Sequence, residues 1–403
     1  MTEITQFISG QPLRSAPRER VSKDAVRAAA ELMTRRETYL DWNATAPLRP
    51  EAAAAVAAAL ARCGNPSSVH RWGRAARQSV ERARDAVAAL IGAAPEGVIF
   101  LSGGTEANHL ALIGSGRERI LVSAVEHSSV LEAVPRAERI AVDGNGIVDL
   151  ARLEGQLAGD PRPAIVSVMV ANNETGIIEP AAEIAALAHA HGALFHCDAV
   201  QGAGKLALAT ARIGADLVSL SAHKLGGPPG IGALVVTGAA EPTAMIRGGS
   251  QERGRRAGSE NLPGIAGFAA AAEAAAAGIG DYERVRQLRD GLERAATEAV
   301  PGAMVIGAEI ERLPNTTALA LPGVSAETQV IALDLAGVMV SAGAACSSGK
   351  VGPSHVLAAM GIMPEIAAAT IRVSLGWTTT EADIAHFLDA WTALSRRLSR
   401  RAA

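Results

Sequence analysis

Aromatic side chains are scarce in this chain: Phe, Trp and Tyr make up 3% of its 403 residues. Apolar residues still reach 49%, and alanine dominates them, so small and aliphatic side chains have to fill the core. The length suffices for a large domain with a smaller one beside it. An excess of charge of one sign is also missing. With 38 basic and 41 acidic residues the net charge is −3, which argues against nucleic-acid or membrane-surface binding through bulk charge. No stretch of 18 residues is apolar without a break, so no membrane span is expected. Residues 1–37 mix basic with acidic side chains and hold no apolar h-region, a poor match to a transit or signal peptide. They read as an N-terminal extension with a helix at 23–33. Cysteine is rare as well. Cys63, Cys197 and Cys346 lack metal-ligand spacing, and their odd number does not suggest a disulfide framework. A reducing, cytoplasmic setting is the simplest expectation. There, a cysteine in a flexible loop is a candidate nucleophile.

What is present is an alternation. Short apolar runs at VIFLS (98–102), ILVSAV (120–125), IVSVMVAN (165–172), ALFHCDAV (193–200), LVSLS (217–221) and GALVV (232–236) read as buried strands. Helical patterns precede them at 51–62 and 73–90, and others such as TEANHLALI and AAEIAALAHAH separate them. This predicts an α/β fold with a largely parallel sheet covered on both faces. After Asn261, helices at 265–277 and 281–299 lead into shorter strands, TALALPG, VMVSAG and IRVSLG, with helices at 326–335, 355–360 and 382–398. The expected organisation is a large domain (50–280) and a smaller α/β domain (38–49 and 281–403).

Functional groups in such sheets gather at the carboxyl ends of the strands. Lys224 stands there, between LVSLS and a Gly/Pro turn, in LVSLSAHKLGGPPGIG. It is either an ordinary snorkelling lysine or one that forms a Schiff base with a carbonyl cofactor. The SGGTEA stretch around Gly104 and Thr105 is a strand-to-helix turn suited to an anion at a helix N-terminus, or simply a capped turn. His127 follows another strand, where it either caps the next segment or stacks on a planar group and exchanges protons. Asn173, in NNETG, either donates to a phenolate-type oxygen or satisfies its own turn. Asp198 ends an apolar strand, where a carboxylate is costly unless paired. A protonated ring nitrogen would pair with it and turn the ring into an electron sink. Asp198 and Lys224 lie one strand–helix–strand step apart. Anion cup, histidine, carboxylate and lysine, each at a strand end, together make the set that pyridoxal phosphate needs.

On YLDWNATAP, GNPSSVH, SGGTEANHLAL, EHSSV, NNETG, HCDAVQ, SAHKLGGPPGIG, GGSQERGRRAGSEN, SAGAACSSG and IRVSLG, in that order over 39–395, the chain resembles the cysteine desulfurases. These are fold type I pyridoxal-phosphate enzymes of the class V aminotransferase group, with a seven-stranded, mostly parallel sheet. The resemblance implies that Lys224 carries the cofactor, His127 stacks on its ring and Asp198 meets the pyridine nitrogen. It implies that Asn173 and Gln201 lie near the ring oxygen, and that Gly104, Thr105, Ser221 and His223 hold the phosphate. Ser259 stands for the residue reaching the phosphate of the other subunit of a homodimer. Arg372, with Asn43 and Asn173, would bind the substrate, L-cysteine. Cys346, among small residues at 341–350, would take the sulfur as a persulfide and pass it to an acceptor or iron–sulfur scaffold protein, with transient contact to a cluster iron. No resident metal is implied. The SSG flank is that of the longer-loop, NifS- and IscS-like branch. Trp42 and Trp377 depart from the pattern, and Trp377 is expected near the substrate mouth. Cys63 and Cys197 are expected to be structural. The alternatives are a selenocysteine lyase, a class V aminotransferase and a non-catalytic protein that kept the fold.

Overall fold

The computed structural model describes residues 36–238, 240–343 and 354–402. The helix expected at 23–33 and Cys346 lie outside these residues. The residues Thr38–Ala403 form one compact unit. The chain enters it through a two-residue strand, β1 (Thr38–Tyr39). A large sheet follows, built from β2 (Val98–Leu101), β3 (Arg119–Ser123), β4 (Glu138–Ile140), β5 (Ala164–Ser167), β6 (Leu194–Asp198), β7 (Leu217–Ser221) and β8 (Gly232–Val236). The order is β2-β8-β7-β6-β5-β3-β4. Here β8 runs antiparallel to both neighbours, and the remaining pairs are parallel.

Both faces of this sheet are buried, which explains strands with no polar alternation. Successive residues point to opposite sides. Val98, Phe100, Val166, Phe195, Val218 and Val235 join one apolar cluster, while Ile99, Leu101, Ile165, Leu194, Leu217 and Leu234 join the other. Helices Pro50–Leu60 and Arg71–Leu90 pack on Leu262–Ala277 beside the first cluster. Helix Gly104–Gly114 lies on the second through Leu110 and Ala111. The alanines foreseen as packing material let these helices come close.

A second, four-stranded sheet takes β9 (Met304–Ile306), β10 (Thr316–Ala320), β12 (Ser341–Ala342) and β13 (Thr370–Ser374), while β11 (Val338–Met339) pairs with β1. VMVSAG is therefore split between two sheets. The core here holds Leu40, Tyr282, Leu292, Leu319, Ile371, Phe387 and Trp391. Several of the chain's few aromatic rings are spent in this smaller core, where Phe387 stacks on Trp391.

Some expectations need correction. The IVSVMVAN strand was expected to run to 172, but its paired part ends at Ser167. The backbone then peels away: Val168 and Val170 still donate to His196 and Asp198 carbonyls, but Met169 donates to the carboxylate of buried Glu126. That departure carries Asn172 and Asn173 away from the sheet. β4 and helix Leu150–Gly159 were not foreseen. β4 has only three residues and an exposed arginine at its centre, so it carries no strand pattern. Cys197 is buried in the core, whereas Cys63 is exposed and packs no core.

Candidate active site

Lys224 closes a short turn, Ala222–Lys224, that continues β7 past its last ladder residue. Gly226 follows with φ +81°, a backbone only glycine adopts at no cost. A Cβ at Gly226 would also meet Arg49 and Trp377 at 2.7 Å. The turn thus bends the amine back toward residues 43–45. The Lys224 ammonium donates to the carbonyls of Asn43 (2.5 Å) and Ala44 (2.9 Å).

The lysine opens on a cavity of about 280 Å³, lined among others by Asp198, His127, Gln201, Asn173 and Arg372. Asp198 is the last residue of β6, next to β7 in the sheet. Its carboxylate accepts from the backbone N–H of Val200 (2.9 Å) and from Asn108 Nδ2 (2.8 Å). Both are neutral donors. A carboxylate so buried, facing a cavity with only neutral partners on it, calls for a cationic guest.

Asn108 was not anticipated, although it stands in the quoted TEANHLALI. It sits one helical turn inside Gly104–Gly114 and reaches Asp198 on one side and Ser129 Oγ on the other (2.8 Å each). Ser129 in turn bonds His127 Nδ1 through both its hydroxyl (2.8 Å) and its backbone N–H (3.0 Å). The backbone N–H makes Nδ1 an acceptor, so a proton on the neutral ring belongs on Nε2. Burial lowers the pKa of His127. Asp198 pulls it back up, while Lys224, His355 and Arg372 push it further down. His127 is therefore both the capping residue and a cavity residue, two readings that the sequence left as alternatives.

The cavity also reaches a helix start. Helix Gly104–Gly114 begins there, with Gly104 so close to the ends of β6 and β7 that a Cβ would meet Val200 at 3.0 Å and Ser221 at 3.5 Å. Gly104, Thr105, Ser221 and His223 all border the cavity, and a helix N-terminus with hydroxyls and an imidazole beside it suits an anion. His223 bonds Thr45 Oγ1 (3.2 Å), and burial followed by the charge of Lys224 lowers its pKa to about 4.

Arg372 comes from β13 of the smaller sheet and is 3% exposed. It donates to Asp41 (2.7 Å) and to the Asn173 carbonyl (3.1 Å). Its Nε is buried without a partner. Asn43 is the hub between the sheets: its amide donates to Thr316 Oγ1 (2.9 Å) and the Asn173 carbonyl (3.3 Å), and its Oδ1 accepts from Asn315 (3.1 Å) and Lys205 (3.0 Å).

Ser259, expected to act across a dimer interface, does not line the cavity of its own chain; it borders a separate hollow of about 140 Å³ with Ser102, Gly230 and Arg256. Trp377 does not line the cavity either. It packs edge-on to Trp42, 4.6 Å between ring centres, under the Arg49 guanidinium at 3.7 Å. The two tryptophans brace the Lys224 turn from behind instead of shaping the substrate mouth.

With the geometry in place, the likeness to known proteins becomes specific. The Aminotransferase class-V model matches residues 38–387. A cysteine desulfurase of Cereibacter sphaeroides is 45% identical over 366 residues, 87% of this chain and 94% of that protein. Cysteine desulfurase IscS of Dictyoglomus turgidum is 39% identical, over 90% of this chain and 96% of its own. The solved NifS-like protein from Rickettsia africae superposes with a TM-score of 0.84 at 34% identity, covering 90% of this chain and 100% of its own.

The chain belongs to the cysteine desulfurase family of class-V aminotransferases.

The class-V family is one of pyridoxal-phosphate enzymes, and the cavity suits that group. Asp198 offers the charge a ring nitrogen needs, and the helix N-terminus with Ser221 and His223 offers what a phosphate needs. Lys224 is within the same cavity. The desulfurase fold thus brings eleven of the expected site residues, Asn43 to Arg372, into one space from two sheets.

Proposed function

We propose that this chain is a pyridoxal-phosphate-dependent cysteine desulfurase that converts L-cysteine to L-alanine and holds the sulfur on Cys346 as a persulfide. The observation carrying this reading is the convergence of Asp198, His127, Lys224 and Arg372 on one cavity that Thr105, Ser221 and His223 also line. When bound, the cofactor supplies an electron sink that weakens the bonds at the substrate's Cα and Cβ.

The chain's own groups do the rest. Thr105, Ser221, His223 and the first turn at Gly104 hold the phosphate, with Ser259 contributed across a homodimer. Asp198 holds the ring nitrogen protonated. Asn173 and Gln201 serve the ring oxygen. Arg372, with Asn43 and Asn173 beside it, takes the substrate carboxylate, and for this its contact with Asp41 has to give way or be shared. Lys224 would anchor the cofactor, and its amine would move the Cα proton. His127, kept neutral by burial, exchanges protons at the substrate through Nε2. The Cys346 thiolate attacks the substrate sulfur. An S–S bond forms, the C–S bond breaks, and the carbon takes a proton to leave as alanine. The smaller unit, 38–49 and 281–403, brings Arg372 and Cys346 to the larger one, 50–280. The persulfide then passes to an acceptor such as an iron–sulfur scaffold protein. Among the described residues no single helix is long and apolar enough to cross a membrane.

The test uses the purified full-length protein with L-cysteine and a reductant. Wild type should be yellow and release sulfide and alanine in equal amounts. Cys346→Ser should keep the colour and lose sulfide release, and Lys224→Ala should lose the colour of the lysine-bound cofactor. Sulfide turnover by Cys346→Ser at the wild-type rate would refute the assignment of Cys346.

A further inference from the structure

Lys205 is 4% exposed, and among the described residues its ammonium bonds to two amide oxygens. Its ammonium donates to Gln201 Oε1 (2.8 Å) and to Asn43 Oδ1 (3.0 Å). Gln201 then donates through Nε2 to the Asn43 carbonyl (3.0 Å), the same oxygen that accepts from Lys224. A chain of bonds therefore runs from Lys205 through Gln201 to the acceptor of the Lys224 amine. Gln201 lines the cavity and Lys205 does not. Lys205 instead borders a large cleft of about 910 Å³ on its other side, with Arg289, Arg312 and Glu293.

An amide can present either end to a ligand, and nothing within Gln201 chooses between them. A lysine ammonium only donates. Turned the other way, Gln201 would set N–H groups against the Lys205 ammonium and its oxygen against the Asn43 carbonyl. Both contacts would repel. We infer that Lys205 is a positioning residue: it holds Gln201 with Nε2 toward the cavity, so that the amide donates to the ring oxygen of the bound cofactor. This rests on the pyridoxal-phosphate reading above. Burial lowers the pKa of Lys205, and the charges of Lys224 and Arg372 add to that.

The consequence is readable in the colour of the resting protein. A donor on the ring oxygen stabilises its anionic form and lowers the pH at which the lysine-bound cofactor loses its proton. Lys224 and Arg372 face the same space, as do Asp198 and His127, and all four stay in place in the variants. Absorbance is titrated against pH for wild type, Lys205→Met, Gln201→Leu and the double variant. Each single variant should raise the midpoint by about one pH unit, a tenfold change in proton affinity, and the double variant should exceed neither. An unmoved midpoint in Lys205→Met, or additive shifts in the double variant, would overturn the inference. If Lys205→Met does not fold, Lys205→Gln keeps an N–H donor. It should leave the midpoint within about 0.3 units of wild type, and a rise matching that of Gln201→Leu would overturn the proposal. A colourless wild type would instead count against the cofactor reading itself.

Discussion

Asp198 is held by one backbone and one side-chain donor, and the side chain is Asn108. Asn108 also ties Asp198 to Ser129 and so to His127. Removing it leaves the carboxylate one donor and cuts this link. Hydrogen bonds to charged groups contribute about 1.5–3 kcal/mol. Asn108→Leu should therefore slow turnover roughly tenfold or more with the fold intact, since each ~1.4 kcal/mol at the transition state is a factor of ten. Rates of sulfide release beside a thermal melt check this. An undiminished rate would show that Asp198 needs no help. The strand-end residues Lys224, Asp198 and His127 were legible because each interrupts an apolar run. Asn108 was not, because one polar residue inside a helix looks like an ordinary surface position until the helix is laid against β6. Lys205 was missed for the same reason: its burial is a property of its neighbours.

At the scale of elements, the edge of the large sheet is fastened by a buried ion pair. Arg84, from helix Arg71–Leu90, meets Glu252 at 2.9 Å, with both side chains at most 4% exposed. Glu252 also accepts from the backbone N–H of Phe100 in β2 (2.9 Å). Glu252 and Arg253 have φ of 48° and 56°, an uncommon backbone for side chains of this size. The pair thus holds a strained turn, helix and edge strand in one arrangement just before Ser259. Breaking it by Glu252→Ala leaves buried Arg84 with only half-exposed Glu81 at 3.5 Å and should cost about 3 kcal/mol. Urea unfolding of the two proteins measures that difference, and a change below ~1 kcal/mol would show that the charge finds water. Helix and strand limits were mostly readable from apolar spacing. What was not readable was which elements end early. Val168–Val170 are as apolar as a strand, yet the Glu126 carboxylate takes the Met169 N–H and ends the ladder.

For the whole molecule, acid is the predicted weakness. His196 sits in the middle of the large sheet, fully buried, with both ring nitrogens bonded to the hydroxyls of Ser167 and Ser219 (2.9 and 2.8 Å). Burial lowers its pKa to about 4, and nearby Asp198 only partly opposes this. The unfolded chain takes up the proton near the ordinary value of about 6.5. Unfolded protein therefore binds more protons below that pH. The stability from keeping this ring neutral is complete above about 6.5 and is lost as pH falls toward 4, about 3 kcal/mol in all. His223, lowered to about 4 as well, pulls in the same direction. Denaturant midpoints should fall between pH 7 and pH 5, and His196→Gln should flatten that slope. An equal slope in both proteins would assign acid sensitivity elsewhere.

The sequence by itself determined the fold class, the family and the residue types at the strand ends. Those follow from local rules: apolar period, turn chemistry and the order of chemically distinct motifs along one chain. The tertiary structure alone decided which of them share a space. Arg372 and Asn43 enter the cavity because β13 and the segment after β1 pack against the large sheet, whereas Ser259 and Trp377 lie outside it. It also showed Lys205 and Asn108 at work behind the first rank of residues. Burial and hydrogen-bond partnership depend on chains that meet only after folding, and no spacing along the sequence encodes them.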